Sequence, residues 1–223
     1  MTLYFDTPDG PLELDPERCT VAGWTGRDAA AVRHHIEELE AIGVAPPSRT
    51  PLFYEVAPAL LTQGDAIHCV GPNTSGEAEP AVLLAGGRHY LTLASDHTDR
   101  ALEAHSVALS KQICAKPIAR GAWRLDDLDG RTDALTLASE IEEGGAWTGY
   151  QRGRLSAMLP LRDLIAASGL DGSLDAVLLC GTLPATGGVR AAPAMRMRLS
   201  DPDPHAGRAI ELSYRTHALP EVA

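Results

Sequence analysis

The feature that most constrains the fold is a glycine pair between two strand-like runs, in the segment EAEPAVLLAGGRHYLTLASD. Gly86 and Gly87 predict a tight two-residue hairpin, because such turns need positive φ angles that glycine adopts at little cost. If the turn lies there, Ala85 faces Arg88 and the pairing of all the earlier and later residues is fixed. The segment therefore predicts an antiparallel β-hairpin of known register.

The same register brings three carboxylates together at the open end of the hairpin. It places Glu77 directly opposite Asp96, and Glu79 shares the face of Glu77 because side chains alternate along a strand. Like charges facing each other destabilise a strand pair, so solvent, basic side chains, raised pKa values or a cation must compensate. Hard oxygen ligands suit Mg²⁺, Mn²⁺ or Ca²⁺ better than zinc or copper. Spacing alone leaves a metal site and a solvated acidic turn both open.

Composition favours a fold made of many short strands. The chain has 21 glycines and 16 prolines in 223 residues, and strand-like segments recur between turn signals. Helices are predicted over residues 27–42, 101–113 and 156–168, with a later start of the third at Pro160 left open. Thr25 and Asp28 resemble a capping box for the first helix, and Gly43 resembles its end. The sum is an α+β, β-dominated fold.

Charge and cysteine pattern exclude several classes of protein. The formal net charge of −11 repels phosphate backbones, so we expect no nucleic-acid partner. No apolar stretch approaches the length needed to cross a bilayer and no secretory signal is visible, so we expect no membrane partner. The four cysteines are far apart in sequence, which indicates reduced, buried thiols in a cytoplasmic protein.

Lysine is scarce, which draws attention to Lys111 and Lys116. Lys116 follows an apolar run and precedes Pro117, where a helix is disfavoured. A lysine at the start of a strand can point into a cleft and bind a carboxylate or an enolate. A surface lysine lying along apolar neighbours is the alternative.

Five segments in order resemble the motifs of the fumarylacetoacetate hydrolase superfamily: HIEEL, GEAEPAVLL, SDHTDR, AKPIA and CGTLPATGG. The sequence also resembles an uncharacterised bacterial family near that superfamily. The resemblance implies a mixed β-roll or barrel. It further implies a small N-terminal region with a lid helix, residues 1–50, and a catalytic β core, residues 51–223.

The resemblance also implies the roles of individual residues. It gives metal ligands (Glu77, Glu79, Asp96), catalytic residues (His35, Glu38, Lys116) and substrate-binding residues (Arg100, Glu103, Thr182). On a helix, His35 and Glu38 are neighbours three positions apart, so the carboxylate can orient the imidazole as a general base. Two departures concern the substrate: the segment between Glu79 and Asp96 is short, and Glu103 replaces a glutamine.

The activity that the resemblance implies is hydrolytic cleavage of a C–C bond in a small anionic acylpyruvate or β-diketo acid. The cofactor would be Mg²⁺ or Mn²⁺, with Ca²⁺ possible in crystals, and the assembly a homodimer. The same site could instead serve a 2-oxo acid decarboxylase, a hydratase or dehydratase, or an isomerase. A protein that binds a metal or ligand without catalysis is the alternative from another class.

Overall fold

Strands dominate the computed structural model, which describes residues 1–41, 46–128, 130–203 and 207–222, apart from the side chains of residues 35, 38, 39 and 41. The strands are, in chain order, β1 Leu3–Thr7, β2 Gly10–Leu14, β3 Arg18–Gly23, β4 Leu52–Val56, β5 Leu61–Thr62, β6 Ala66–Val70, β7 Thr74–Ser75, β8 Ala78–Ala85, β9 Arg88–Ser95, β10 Thr98–Asp99, β11 Lys116–Pro117, β12 Trp123–Arg124, β13 Thr136–Glu143, β14 Ala146–Arg154, β15 Ala176–Leu179, β16 Ala194–Ser200 and β17 Ala209–Leu219. The α-helices are α1 Ala29–Ala41, α2 Arg100–Glu103, α3 Val107–Gln112 and α4 Leu161–Ser168.

Two large open sheets organise these strands. One has six strands in the order β12-β9-β8-β15-β3-β4, and the other has five in the order β14-β13-β16-β17-β6. Both mix parallel and antiparallel pairs. In the first, β15 pairs with β3 in parallel and with β8 in antiparallel orientation, and in the second, β17 pairs with β6 in parallel and with β16 in antiparallel orientation. The predicted β-dominated α+β fold is confirmed, and the described strands form no closed barrel.

The hairpin predicted at the glycine pair is confirmed with its register. Ala85 pairs with Arg88, and the ladder runs back to Ala78 opposite Ser95. Every residue of β8 is buried, because the strand lies in the interior of the six-stranded sheet with apolar groups on both of its faces. Val82 points into the core shared with the five-stranded sheet, whereas Leu83 points into the core beneath the β1–β2 hairpin.

The first helix begins later than the sequence predicts. Asp28, and not Thr25, caps it: the Asp28 carboxylate accepts hydrogen bonds from the amides of Ala30 at 2.9 Å and Ala31 at 3.2 Å. Thr25 is buried, and its carbonyl accepts from the amide of Leu159 at 2.8 Å. The predicted end at Gly43 lies outside the described residues.

The other two predicted helices are shorter than expected. The helix predicted over 101–113 is split into α2 and α3, because the Ser106 side chain accepts from the Leu109 amide and starts a new helix. The helix predicted over 156–168 begins only at Leu161, because Pro160 is its N-cap and a separate 3₁₀ turn precedes it.

The N-terminal residues contribute directly to the main sheet, since β3 lies between β15 and β4. The division of the chain at residue 50 therefore stays a prediction. All four cysteines are free and buried, as expected. None of the described helices is long and apolar enough to cross a membrane.

Candidate active site

The open end of the β8–β9 hairpin carries the predicted carboxylates. The Asp96 amide donates to the Glu77 carbonyl at 3.0 Å, so these two residues continue the hairpin pairing beyond the regular strands. Glu79 and Asp96 are almost completely buried, with 3% and 1% of their surfaces exposed. Buried carboxylates need specific partners, and each of the three has a different one.

Glu79 is held by the loop that follows β15. The Gly181 amide donates to Glu79 Oε2 at 2.8 Å. Gly181 has a φ of +93°, and an added Cβ would lie 1.8 Å from Thr25 Oγ1, so only glycine fits there. Burial raises the pKa of Glu79 well above its ordinary value, and the nearby Asp96 carboxylate raises it further.

Asp96 is paired with both lysines of the chain. Lys111 Nζ contacts Asp96 Oδ2, and Lys116 Nζ lies 3.2 Å from Asp96 Oδ1. Burial alone would raise the pKa of Asp96, but the two ammonium groups outweigh it and lower the pKa to about 2. The Lys116 contact is close enough for an ion pair, but among the described residues Oδ1 accepts no well-aligned hydrogen bond.

Lys116 is fully buried at the start of β11. Its ammonium donates to the carbonyls of His97 and, at 2.6 Å, of Lys111, in addition to its ion pair with Asp96. An ammonium has three protons, and Lys116 donates two of them to these carbonyls, while its contact with Asp96 is an ion pair without a well-aligned hydrogen bond. These contacts hold Asp96 and the C-terminal end of α3 in place. The predicted role of Lys116 in catalysis stays a prediction.

Arg100, the first residue of α2, connects the predicted substrate-binding residues to the carboxylates. Its guanidinium donates to Glu77 at 2.9 Å, to Glu103 at 2.9 Å and to the Ser75 hydroxyl at 2.7 Å. Burial opposes its charge, but the two carboxylates more than compensate and raise the pKa of Arg100. The result is a half-buried cation that faces the same cluster as Glu77.

Thr182 closes the opposite side of the cluster, next to Gly181. Its hydroxyl donates to the Ala78 carbonyl at 2.7 Å and accepts from Gln151 Nε2 at 2.6 Å. Gln151 Oε1 in turn accepts from the Ala78 amide at 2.9 Å. These bonds fix the backbone between Glu77 and Glu79, which sets where their side chains point.

The structure thus brings together seven predicted site residues: Glu77, Glu79, Asp96, Arg100, Glu103, Lys116 and Thr182. His35 and Glu38 lie within α1, but their side chains are outside the described part of the chain. Lys111 and Gln151 were not predicted as site residues. The scarcity of lysine was the one sequence signal for Lys111, and nothing in the sequence singled out Gln151.

The three carboxylates have the donor type that suits a hard divalent cation, but they are not arranged around one in this structure. Three hard oxygen donors meet here, and one of them, Asp96 Oδ1, lacks a good hydrogen bond. Yet no described group of three or more His, Cys, Asp or Glu side chains is arranged to hold a metal ion. The donor types suit a hard cation, and in this arrangement the ammonium of Lys111 occupies a position on Asp96.

A cavity of about 920 Å³ lies along the five-stranded sheet and not over the carboxylates. It is an open groove whose walls include Trp147, Arg196 and Gln151. Gln151 connects this groove to the carboxylate cluster, since it also donates a hydrogen bond to Thr182. Cavity size therefore does not define the candidate site, and the convergence of buried charges does.

Solved enzyme structures share this fold. Fumarylpyruvate hydrolase from Pseudomonas aeruginosa, in complex with Mn²⁺ and pyruvate, is 15% identical with a TM-score of 0.62, covering 98% of this chain and 97% of its own. A 2-keto-3-deoxy-D-arabinonate dehydratase, complexed with magnesium and 2,5-dioxopentanoate, is 14% identical with a TM-score of 0.66 and coverage of 96% and 78%. The 4-oxalocrotonate decarboxylase from Pseudomonas putida G7, complexed with calcium and acetate, is 17% identical with a TM-score of 0.57 and coverage of 89% and 76%.

These similarities establish the fold of the fumarylacetoacetate hydrolase superfamily, as the sequence motifs predicted. At such low identity they do not establish a reaction, and the three enzymes are a hydrolase, a dehydratase and a decarboxylase. No curated protein matches the sequence. The family model described as "Protein of unknown function (DUF2848)" matches residues 22–214. This match spans most of the chain, which therefore belongs to the DUF2848 family.

Proposed function

We propose that this protein is a divalent-cation-dependent enzyme that hydrolyses a C–C bond in a small acylpyruvate or related β-diketo acid. The observation that carries the proposal is the convergence of Glu77, Glu79 and Asp96 beside the Arg100 guanidinium at one end of the hairpin. A fold shared with enzymes that were crystallised with Mn²⁺, Mg²⁺ or Ca²⁺ supports it.

Glu77, Glu79 and Asp96 would hold Mg²⁺ or Mn²⁺. When bound, such an ion supplies Lewis-acid polarisation of adjacent carbonyl oxygens and stabilises enolate charge. The protein's own contribution is a dry environment, since two of the three carboxylates are almost completely buried. Burial strengthens electrostatic interactions within the site.

Arg100 is the proposed partner of the substrate's carboxylate. A guanidinium binds a carboxylate with two parallel hydrogen bonds, which fixes orientation as well as charge. Glu103, which now shares this guanidinium, would tune that interaction, and Thr182 would contact substrate from the opposite side. We propose the substrate-binding roles of these three residues on the basis of their motifs and their shared cluster.

The proposed general base is His35, held by Glu38 one helical turn away. The imidazole would take a proton from the water that attacks the distal carbonyl, and the carboxylate would keep it in the correct tautomer. The support is the spacing within α1 and the resemblance to the HxxE motif. Lys116, whose ammonium donates to two backbone carbonyls and forms an ion pair with Asp96, would act by positioning Asp96.

We also propose, from the family resemblance, that the protein works as a homodimer in the cytoplasm. Light scattering after size-exclusion chromatography tests the assembly. A mass near twice 23.6 kDa is the expected result, and a mass near 23.6 kDa contradicts the proposed dimer.

A turnover screen tests the proposed function. Acylpyruvates and oxaloacetate are incubated with Mg²⁺ or Mn²⁺, and the products distinguish the reactions: hydrolysis yields pyruvate and a carboxylic acid, whereas decarboxylation releases CO₂. We expect hydrolysis that EDTA abolishes and that Glu77→Gln reduces at least 100-fold. The matched control is Glu13→Gln, the same change at an exposed strand position, which leaves turnover unchanged. Turnover that survives both EDTA and Glu77→Gln, or no turnover of any substrate, contradicts the proposal.

A further inference from the structure

The chain has only two lysines, and both of them contact the same buried carboxylate. Lys111 and Lys116 lie on opposite oxygens of Asp96, and neither is on the surface. Burying an ammonium is unfavourable unless it is paired and hydrogen-bonded. Both lysines of the chain therefore act as counter-charges for one buried carboxylate, that of Asp96.

The two ammonium groups are bound very differently. Lys116 is 0% exposed and donates to two backbone carbonyls as well as pairing with Asp96. Lys111 has a side chain that is 9% exposed, and the Asp96 carboxylate is its hydrogen-bond acceptor among the described residues. In the same position its Nζ lies 5.6 Å from the centre of the Tyr54 ring, whose face attracts a cation. Lys111 is thus the ammonium that can leave.

Lys111 also interacts with more than one carboxylate. Its buried ammonium contacts Asp96 and lies within the electrostatic reach of Glu77 and Glu79. These are the three side chains proposed to hold the divalent ion. A monovalent ammonium in their midst neutralises part of the same negative charge that a divalent cation would neutralise.

We infer that Lys111 is an internal cation that competes with the divalent metal ion for the carboxylate cluster and leaves Asp96 when the ion binds. The inference rests on the proposed metal-dependent function. It follows from the requirement that Asp96 Oδ2, which the Lys111 ammonium contacts, cannot contact that ammonium and a hard cation in the same place. Lys116 stays on Asp96 in both states, since its other two bonds are to the backbone.

A titration with Mn²⁺, followed by electron paramagnetic resonance of the free ion, measures the competition directly and needs no substrate. The variants are Lys111→Met, which keeps the length of the side chain and removes the charge, and Lys111→Arg, which keeps the charge. We expect Lys111→Met to bind Mn²⁺ at least tenfold more tightly than the unmodified protein. Lys111→Arg should stay within threefold of the unmodified protein.

The outcomes of the titration separate this inference from the proposed function. Equal Mn²⁺ affinity in the unmodified protein and Lys111→Met, or weaker binding in the variant, overturns the inference and leaves the function standing. Tight binding by Lys111→Met alone, with none in the unmodified protein, supports the inference and counts against metal-dependent catalysis. Failure of both proteins to bind Mn²⁺ overturns both.

The unmodified protein provides a second measurement if Lys111→Met does not fold. Labelling with ¹³C at lysine Cε gives two NMR signals, one from each lysine. Addition of Mg²⁺ is expected to shift one signal, from Lys111, and to leave the other at its position. Two unmoved signals, or equal movement of both, overturn the inference.

Discussion

Replacing Lys116 by methionine should remove most of the stability of the protein. The substitution leaves two buried carbonyls, of His97 and Lys111, without their ammonium donor and takes one partner from Asp96. Breaking a buried ion pair costs about 3–5 kcal/mol, and a buried acceptor without a donor costs about 1–3 kcal/mol. Asp96 keeps Lys111, so we take the lower bound of each range, which together give about 5 kcal/mol.

The matched comparison is Lys111→Met, which removes the other lysine on the same carboxylate. That side chain has a single described acceptor, and Asp96 would keep Lys116, so the lower bound for one buried ion pair gives an expected loss of about 3 kcal/mol. Urea unfolding followed by far-UV circular dichroism, in EDTA, measures both. With a slope of about 2 kcal/mol per molar, the midpoint of Lys116→Met should fall by about 2.5 M, and that of Lys111→Met by about 1.5 M.

The comparison has a clear refuting result. If Lys116→Met unfolds within about 1 kcal/mol of the unmodified protein, the ammonium does not hold the backbone as described. If Lys111→Met is the more destabilised of the two, the distinction between a fixed and a displaceable lysine is wrong. Either result would remove the structural basis for assigning different roles to the two residues.

Three further predictions concern single positions, each followed by thermal or urea unfolding in EDTA. Gly181→Ala should lower the free energy of unfolding by more than about 3 kcal/mol, because its Cβ would lie 1.8 Å from Thr25 Oγ1 at a φ of +93°. The control Gly86→Ala, at positive φ but in open space, should cost about 1 kcal/mol. Equal losses in the two variants would contradict the steric argument. Glu79 has a raised pKa, so its contribution to the free energy of unfolding is fully present below about pH 4.5 and is lost as the pH rises through its folded-state pKa. Glu79→Gln should therefore become more stable relative to the unmodified protein between pH 4.5 and pH 8. A stability difference that does not change with pH would contradict this. Asp28→Ala removes the cap of α1 and should cost about 1 kcal/mol; an unchanged midpoint would mean that the cap adds no stability.

The hairpin and its carboxylate pairing could be predicted because their determinants are local. Gly86 and Gly87 set the turn, and the long apolar runs leave no other register that keeps the strands buried. The pairing of Glu77 with Asp96 then follows by counting. The residues of the hairpin itself are therefore sufficient to place these two carboxylates together.

The partners of those carboxylates could not be predicted, because they arrive from elements that are distant in sequence. Lys111 contacts Asp96 from α3, which is separate from α2, and the single helix predicted over 101–113 was wrong on this point. The break depends on the capping bond of Ser106, a weak local signal that competes with a continuous apolar pattern. Gly181 likewise meets Glu79 through the pairing of β15 with β8.

The way in which the site balances its charge was therefore open from sequence alone. Solvent, basic side chains, raised pKa values and a cation were all possible answers to three adjacent carboxylates. The structure uses two of them together, with Lys111, Lys116 and Arg100 as counter-charges and a raised pKa at Glu79. The cation is the answer that the proposed function adds.

The most direct test of the central claim is a crystal structure of the protein soaked with Mn²⁺ and oxalate, an enolate mimic, with anomalous diffraction to locate the ion. The account predicts one strong anomalous peak bound by Glu77, Glu79 and Asp96, with oxalate on the ion and the Lys111 ammonium moved off Asp96. Density that shows Lys111 still on Asp96 and no ion among the three carboxylates would contradict it.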